Sequence, residues 1–167
     1  QTGLLFPAFE GVLPTSEEGH FSLFGYDSRE YGLGRGLTTS GDAGLKMKQG
    51  DVAIRGNFAT VKNGEVLDRR AGRISNPQEL VDMLDGTKID GIKFSVGLAK
   101  EHRLGIVMKG KGLTAKISDS DPHYIEGEDG LRKVEPQNKT KEAKFTAKVL
   151  NKFIQKAHKL LKDHPLN

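Results

Sequence analysis

Cysteine is absent from the 167 residues, which excludes disulfides, thiolate metal ligands and cysteine nucleophiles and fits a reducing cytoplasm. No stretch approaches the roughly 20 consecutive apolar residues that a membrane-spanning helix needs. No charged-then-apolar leader opens the chain, so neither a membrane anchor nor a secretory signal is expected. Signatures of nucleic-acid binding are missing too: there is no zinc-finger spacing, no RNP-like run and no aromatic stacking motif. No internal repeat or low-complexity tract is visible. The first residue is Gln1 rather than Met, as in a trimmed or excised piece.

What is present fits one globular domain with a sizeable core. The net charge of +4 is unevenly spread: residues 132–167 carry 10 Lys/Arg against 3 Asp/Glu, and the preceding residues carry 16 against 19. The basic excess lies on a strongly amphipathic segment, 141–163. Val149, Leu150, Phe153, Ile154, Ala157, Leu160 and Leu161 follow the 3–4 spacing of a buried helix face, while Lys144, Lys148, Lys152 and Lys156 mark the opposite one. This pattern reads as a solvated helix face rather than a specific nucleic-acid surface, and His158 and His164 are expected to face solvent.

The rest reads as a mixed, largely antiparallel sheet with packed helices, an α/β chain of the α+β kind closed by the long C-terminal amphipathic helix. Residues 1–13 read as extended chain. Residues 25–50, with Gly32, Gly34, Gly36, Gly41 and Gly44, read as a long loop or crossing, whose backbone N–H groups are available to a phosphate. Residues 51–61 alternate as a strand, with Val52, Ile54 and Phe58 on one face and Arg55 and Asn57 on the other. Asn63-Gly64 is a hairpin signal, so 65–70 should return antiparallel. A short helix is predicted from an Asn76 cap and Pro77 to Leu84, stopping at Asp85-Gly86. Strands are predicted near 90–96, 103–109 and 131–134, the last after the polar segment 118–130.

One run stands apart: Pro14-Thr15-Ser16-Glu17-Glu18-Gly19-His20. Thr15 and Glu18 have the spacing of a capping box, which by itself accounts for both. The same geometry places Ser16 among the unpaired N–H groups of a helix start, where an anionic phosphoryl group is favoured. A serine hydroxyl needs a base or a metal to become a nucleophile. His20, four residues on, either serves that need or simply packs.

The run resembles the Asn-Ser-Glu-Val-Gly-His nucleophile motif of the 2,3-bisphosphoglycerate-independent phosphoglycerate mutases, in the alkaline-phosphatase superfamily, and the wider likeness is to their archaeal-type branch. Carrying it are Thr2-Gly3-Leu4, Ser22-Leu23-Phe24-Gly25-Tyr26-Asp27, Gly34-Arg35-Gly36, Gly50 through Arg55, Asn57, Asp68 through Ile74, His102-Arg103 and Ser118 through His123, in family order along nearly the whole chain. Thr15 stands where the bacterial-type motif has Asn.

The resemblance implies that Ser16 takes the phosphoryl group from one phosphoglycerate and returns it to the other hydroxyl. It also implies two divalent metal ions (manganese, magnesium or zinc) that ionise the serine and brace the phosphoryl oxygens, with the Ser16 oxygen as one ligand. The family's other metal ligands belong to motifs that this chain does not contain, so no metal is expected in these residues alone, and they are expected to be inactive alone. A guanidinium binds carboxylate or phosphate through two parallel hydrogen bonds. Arg55 is the first choice for that work, because it lies opposite the apolar face of a strand, with Asn57 beside it. Arg73 and Arg103 follow, each also readable as a surface arginine paired with an acid. Asp121-Pro122-His123 sets a carboxylate and an imidazole on a turn, for substrate contact or proton transfer, or is merely an Asp-Pro turn.

The resemblance divides the chain into a nucleophile segment and linker (1–34), an inserted substrate-binding domain (35–138) and a return helix (139–167). The implied partner is a small phosphorylated acid, with no specific nucleic acid and no membrane; oligomeric state is not legible. Two other readings are a related superfamily phosphatase or mutase with another phosphorylated substrate, and a binding module without catalysis.

Overall fold

Alternating apolar residues in three segments build the centre of the molecule. A computed structural model describes residues 34–62, 65–74, 76–120 and 132–164. Strands β1 (Val52–Asn57), β4 (Lys88–Ile89), β5 (Ile92–Lys100) and β6 (Arg103–Lys109) form an antiparallel sheet in the order β1-β6-β5-β4, and β2 (Thr60–Lys62) and β3 (Glu65–Asp68) form a separate antiparallel pair. Among the described residues, three helices accompany them: α1 (Arg35–Asp42), α2 (Gln78–Leu84) and α3 (Lys141–Leu161). The fold is α+β with antiparallel sheets, as the sequence predicts. The chain divides into two compact units, Gln1–Gly34 and Arg35–Asn167, and every element above belongs to the second.

Strand register decides which side chains share a face. Val52, Met108 and Phe94 form one row and Ile54, Ile106 and Val96 the next. This face is covered by Leu80, Val81 and Leu84 of α2 and by Val149, Leu150 and Phe153 of α3, making one apolar core. The rings of Phe94 and Phe153 stack at 4.1 Å with a 6° interplanar angle. Burying each ring contributes about 2–3 kcal/mol. Thr140 caps α3 by accepting from the Ala143 N–H. Lys144, Lys148, Lys152 and Lys156 are exposed as the periodicity predicts, while Leu160, counted with the apolar stripe, is 38% exposed in the last turn of α3.

The other face carries α1, and glycine makes that contact possible. Gly97 and Gly105 are paired neighbours on β5 and β6. A Cβ on Gly105 would lie 2.6 Å from Ser40 Cα, one on Gly97 3.0 Å from the Ala43 carbonyl oxygen, and one on Gly36 2.2 Å from the Ala53 carbonyl oxygen. Backbone thus packs on backbone. Gly105→Ala is therefore expected to destabilise the fold by about 3 kcal/mol, as overpacking does, measured by denaturant unfolding. Ser40→Ala in the same contact removes a buried hydroxyl with no hydrogen-bond partner and should cost nothing. A Gly105→Ala midpoint equal to wild type would refute the close-packing account.

Several local expectations are corrected. Residues 35–42 of the expected long loop are helical, because Gly36 is there for close packing rather than for a turn; residues 25–33 lie outside the described residues. The single strand over 51–61 is two, β1 and β2, broken at Phe58, whose N–H turns to the His102 carbonyl at 2.8 Å. The strand expected from residue 90 begins at Ile92, since Asp90 (φ 48°) and Gly91 (φ 80°) make the tight turn of the β4–β5 hairpin. Helix α2 starts at Gln78, and no side chain caps it. The β2–β3 pairing agrees with the hairpin signal, although Asn63 and Gly64 themselves lie outside the described residues. His164 is not solvent-facing: its side chain is 17% exposed, and its Nε2 lies 3.6 Å from a Glu79 carboxylate oxygen.

No strand forms at the described residues 132–134. Instead 116–120 and 132–137 make an irregular antiparallel contact: Ile117 bridges Pro136, the Ser118 N–H donates to the Glu135 carbonyl at 2.8 Å, and the Arg132 N–H donates to the Ser120 carbonyl at 3.0 Å. Helix α3 pins this contact. The Asn151 side chain accepts from the Val134 N–H at 3.0 Å and donates to the Val134 carbonyl at 2.8 Å. An amide side chain takes the place of a neighbouring strand, so regular pairing is not needed.

Candidate functional site

Of the residues expected to carry chemistry, Ser16, Asp121 and His123, with His20, lie outside the described residues. Arg55, Asn57, Arg73 and Arg103 lie inside them, and register brings three of these together. Asn57 pairs with Arg103 and Arg55 pairs with Gly105 across β1 and β6, so Arg55, Asn57 and Arg103 share the face on which α1 packs. Arg55 is half-buried, with its Nε out of solvent, and Arg103 and Asn57 are exposed. Gly105 leaves no side chain beside Arg55 on that face.

The β5–β6 turn adds His102, a residue that the sequence pattern does not mark as a site residue. His102 is 5% exposed, and its Nδ1 is buried without a hydrogen-bond partner, 3.8 Å from a Glu101 carboxylate oxygen. Glu101 takes a left-handed φ of 52° to make the turn. Burial pushes the His102 imidazole below its ordinary value; the positive charges of Arg103, Arg70 and Arg55 push the same way, and Glu101 opposes them. Those charges come from three places in the chain: β1, the turn after β3, and the hairpin itself.

The turn after β3 is built unusually. Ala71, Gly72 and Arg73 have φ of 45°, 61° and 57°, a left-handed run in which each non-glycine residue costs about 1–2 kcal/mol. Asp68 offsets that cost. Its carboxylate accepts from the Arg70 N–H at 2.8 Å and the Gly72 N–H at 2.7 Å. Those two bonds hold the Asp68 carboxyl below its ordinary pKa, against desolvation, with help from Arg70 and His102. Ala71 and Ile74 pack against the core from inside, while Arg70 and Arg73 are exposed. Arg69 is half-buried with its Nη1 out of solvent. The doubled arginine was the available signal for Arg69 and Arg70. The left-handed run had no signal, since Ala and Arg rarely adopt it.

Arginines around a buried neutral imidazole form a surface suited to carboxylate and phosphate groups. Guanidinium forks bind such groups bidentately, and partial burial limits screening. The electrostatics make a testable statement about pH. The folded protein holds His102 below its ordinary value of 6.5, so the unfolded chain binds the proton more tightly. Stability from this site is therefore full above pH 6.5 and is lost as pH falls through the folded value. His102→Gln in the full-length protein should flatten the stability-against-pH curve in that window; an unchanged slope would show that His102 does not carry it.

Among the described residues, no group of three or more His, Asp or Glu side chains could hold a metal ion. Nor, among these residues, is any helix long and apolar enough to cross a membrane.

The described residues define an α+β unit with Arg55 and Arg103 on one face of its sheet. The chain belongs to the 2,3-bisphosphoglycerate-independent phosphoglycerate mutase family, whose model matches residues 1–167. It is 43% identical over 171 residues to the enzyme of that name from Sulfolobus acidocaldarius, covering 99% of this chain and 40% of the relative. It is 41% identical over 170 residues to 2,3-bisphosphoglycerate-independent phosphoglycerate mutase 1 of Methanocaldococcus jannaschii, with the same coverage of each. The solved cofactor-independent phosphoglycerate mutase of Thermoplasma acidophilum superposes with a TM-score of 0.74 at 36% identity, over 93% of this chain and 42% of that one. The chain thus spans about 40% of the length of these relatives.

Proposed function

We propose that the protein carrying these residues is a cofactor-independent phosphoglycerate mutase, an isomerase that interconverts 2- and 3-phosphoglycerate through a phosphoserine on Ser16. The observation that carries this reading is the family match over all 167 residues. The placement of Arg55 and Arg103 on one face of the sheet suits a substrate with a carboxylate at one end and a phosphate at the other. In this reading residues 1–34 supply the nucleophile, 35–138 bind substrate and 139–167 lead back to the catalytic core. Arg55, Asn57, Arg73, Arg103, Asp121 and His123 contact the phosphoglycerate. Two divalent cations, manganese, magnesium or zinc, complete the centre in the whole enzyme, with the Ser16 oxygen among their ligands, and the enzyme works in the cytoplasm.

The test is a coupled enolase assay on the full-length protein with manganese and either phosphoglycerate. Metal-dependent interconversion is expected, and a protein that is folded, metal-loaded and inert towards both phosphoglycerates would sink the reading. The 167 residues alone are expected to be inert, and Ser16-dependent turnover by them would overturn that part.

A further inference from the structure

The two hydrogen bonds to Asp68 have a consequence for the arginines that follow it. Strand β3 ends at Asp68, and the chain must then leave the hairpin through residues 69–74. It does so through the left-handed run at Ala71, Gly72 and Arg73, closed by the Arg73 N–H donating to the Arg70 carbonyl at 2.8 Å and the Ile74 N–H donating to the Ala71 carbonyl at 3.0 Å. Nothing in the local sequence favours this path, because Ala71 and Arg73 both carry a Cβ that opposes it. What favours it is the packing of Ala71 and Ile74 on the core, together with the carboxylate bridging the Arg70 and Gly72 amides.

We propose that Asp68 is a positioning residue for substrate affinity: its carboxylate holds the left-handed turn that presents Arg70 beside His102 and sets where Arg73 leaves the backbone. The inference rests on the phosphoglycerate reading, since it assigns these arginines to the anionic groups of that substrate. Without the carboxylate, Ala71 and Arg73 revert to ordinary right-handed or extended backbone. The arginines then reach the substrate only after the turn has re-formed, so each binding event is weakened by the fraction of time the turn is lost. The chemical step, once substrate is bound, is unaffected. A residue that only stabilised the fold would lower the unfolding midpoint and leave KM alone.

The experiment uses the full-length protein and three variants: Asp68→Ala, Ala71→Gly, and both together. Glycine takes the φ of residue 71 without the Cβ penalty, so it repopulates the turn in the absence of the carboxylate. For Asp68→Ala, KM for 2-phosphoglycerate should rise about tenfold with kcat within about twofold of wild type. Ala71→Gly alone should stay near wild type, and the double variant should recover at least half of the lost affinity on a logarithmic scale. Hydrogen exchange at the Arg73 and Ile74 amides should accelerate in Asp68→Ala and slow again in the double variant.

An unchanged KM in Asp68→Ala, or a raised KM that glycine at position 71 does not restore, overturns the inference. Unchanged exchange at those two amides overturns it independently of any enzyme assay. If wild type itself shows no turnover while the exchange pattern appears as expected, the mutase reading fails and the bracing of the turn by Asp68 stands.

Discussion

Ser16→Ala in the full-length protein is expected to abolish phosphoenzyme formation and to lower mutase turnover by at least about 10⁴-fold. The magnitude follows from the role proposed for it. A phosphoryl group that must leave one hydroxyl and return to another needs a covalent resting place between the two, and alanine has no atom to offer. Positioning and charge neutralisation by the arginines remain, but they act on a transfer with no acceptor. Thr15 and Glu18 have the spacing of a capping box, a pattern that makes no use of the Ser16 hydroxyl, so the unfolding midpoint should hold. Incubating wild type and variant with labelled substrate, quenching in acid and locating the label decides the matter. Label persisting in Ser16→Ala would mean that another residue carries the phosphoryl group.

Arg55→Ala is expected to cut kcat/KM by about 10²- to 10³-fold, and Arg55→Lys to recover little of it. Arg55 is half-buried on a strand held by register against β6. Its guanidinium is therefore aimed by the sheet rather than by a flexible loop, and its loss cannot be made good by a neighbour swinging in. Lysine restores the charge but not the planar fork that meets a carboxylate or phosphate with two parallel bonds. The two variants differ in a second readout. Removing the charge relieves one of the influences holding His102 down, so Arg55→Ala should lose less stability than wild type as pH falls below 6.5, while Arg55→Lys should lose as much as wild type. An Arg55→Ala protein with wild-type kcat/KM would remove Arg55 from the site.

How much of this was legible in the chain depended on whether the signal was local. Asn63-Gly64 between alternating runs announced the β2–β3 pairing, and the Lys144 to Lys156 spacing announced the exposed face of α3, because both are short-range physics. Arg55 and Asn57 were placed on the polar side of a strand by alternation alone. Helix α1 was missed for the opposite reason. Its Gly36 and Gly41 and its run of Thr and Ser argue against a helix on propensity, and Gly36 is explained only by the close approach to Ala53, as Ser40 is by its contact with the position of Gly105. His102 was passed over because burial of a histidine between a Glu and an Arg is a tertiary fact. The Asp68 turn was equally silent: a carboxylate two and four residues ahead of the amides it holds looks like any charged surface until φ is known.

The contact between 116–120 and 132–137 has a consequence for how this family member can vary. Ser120 and Arg132 are joined by a backbone hydrogen bond, and Asn151 ties the second stem to α3. The chain between them therefore departs and returns at a point that its own contents do not have to hold. For a loop closed in this way, added length costs only a slowly rising entropy, about 0.6 kcal/mol for each doubling. A change in the number of residues between Ser120 and Arg132 is therefore expected to leave the contact between 116–120 and 132–137, and its tie to α3, in place.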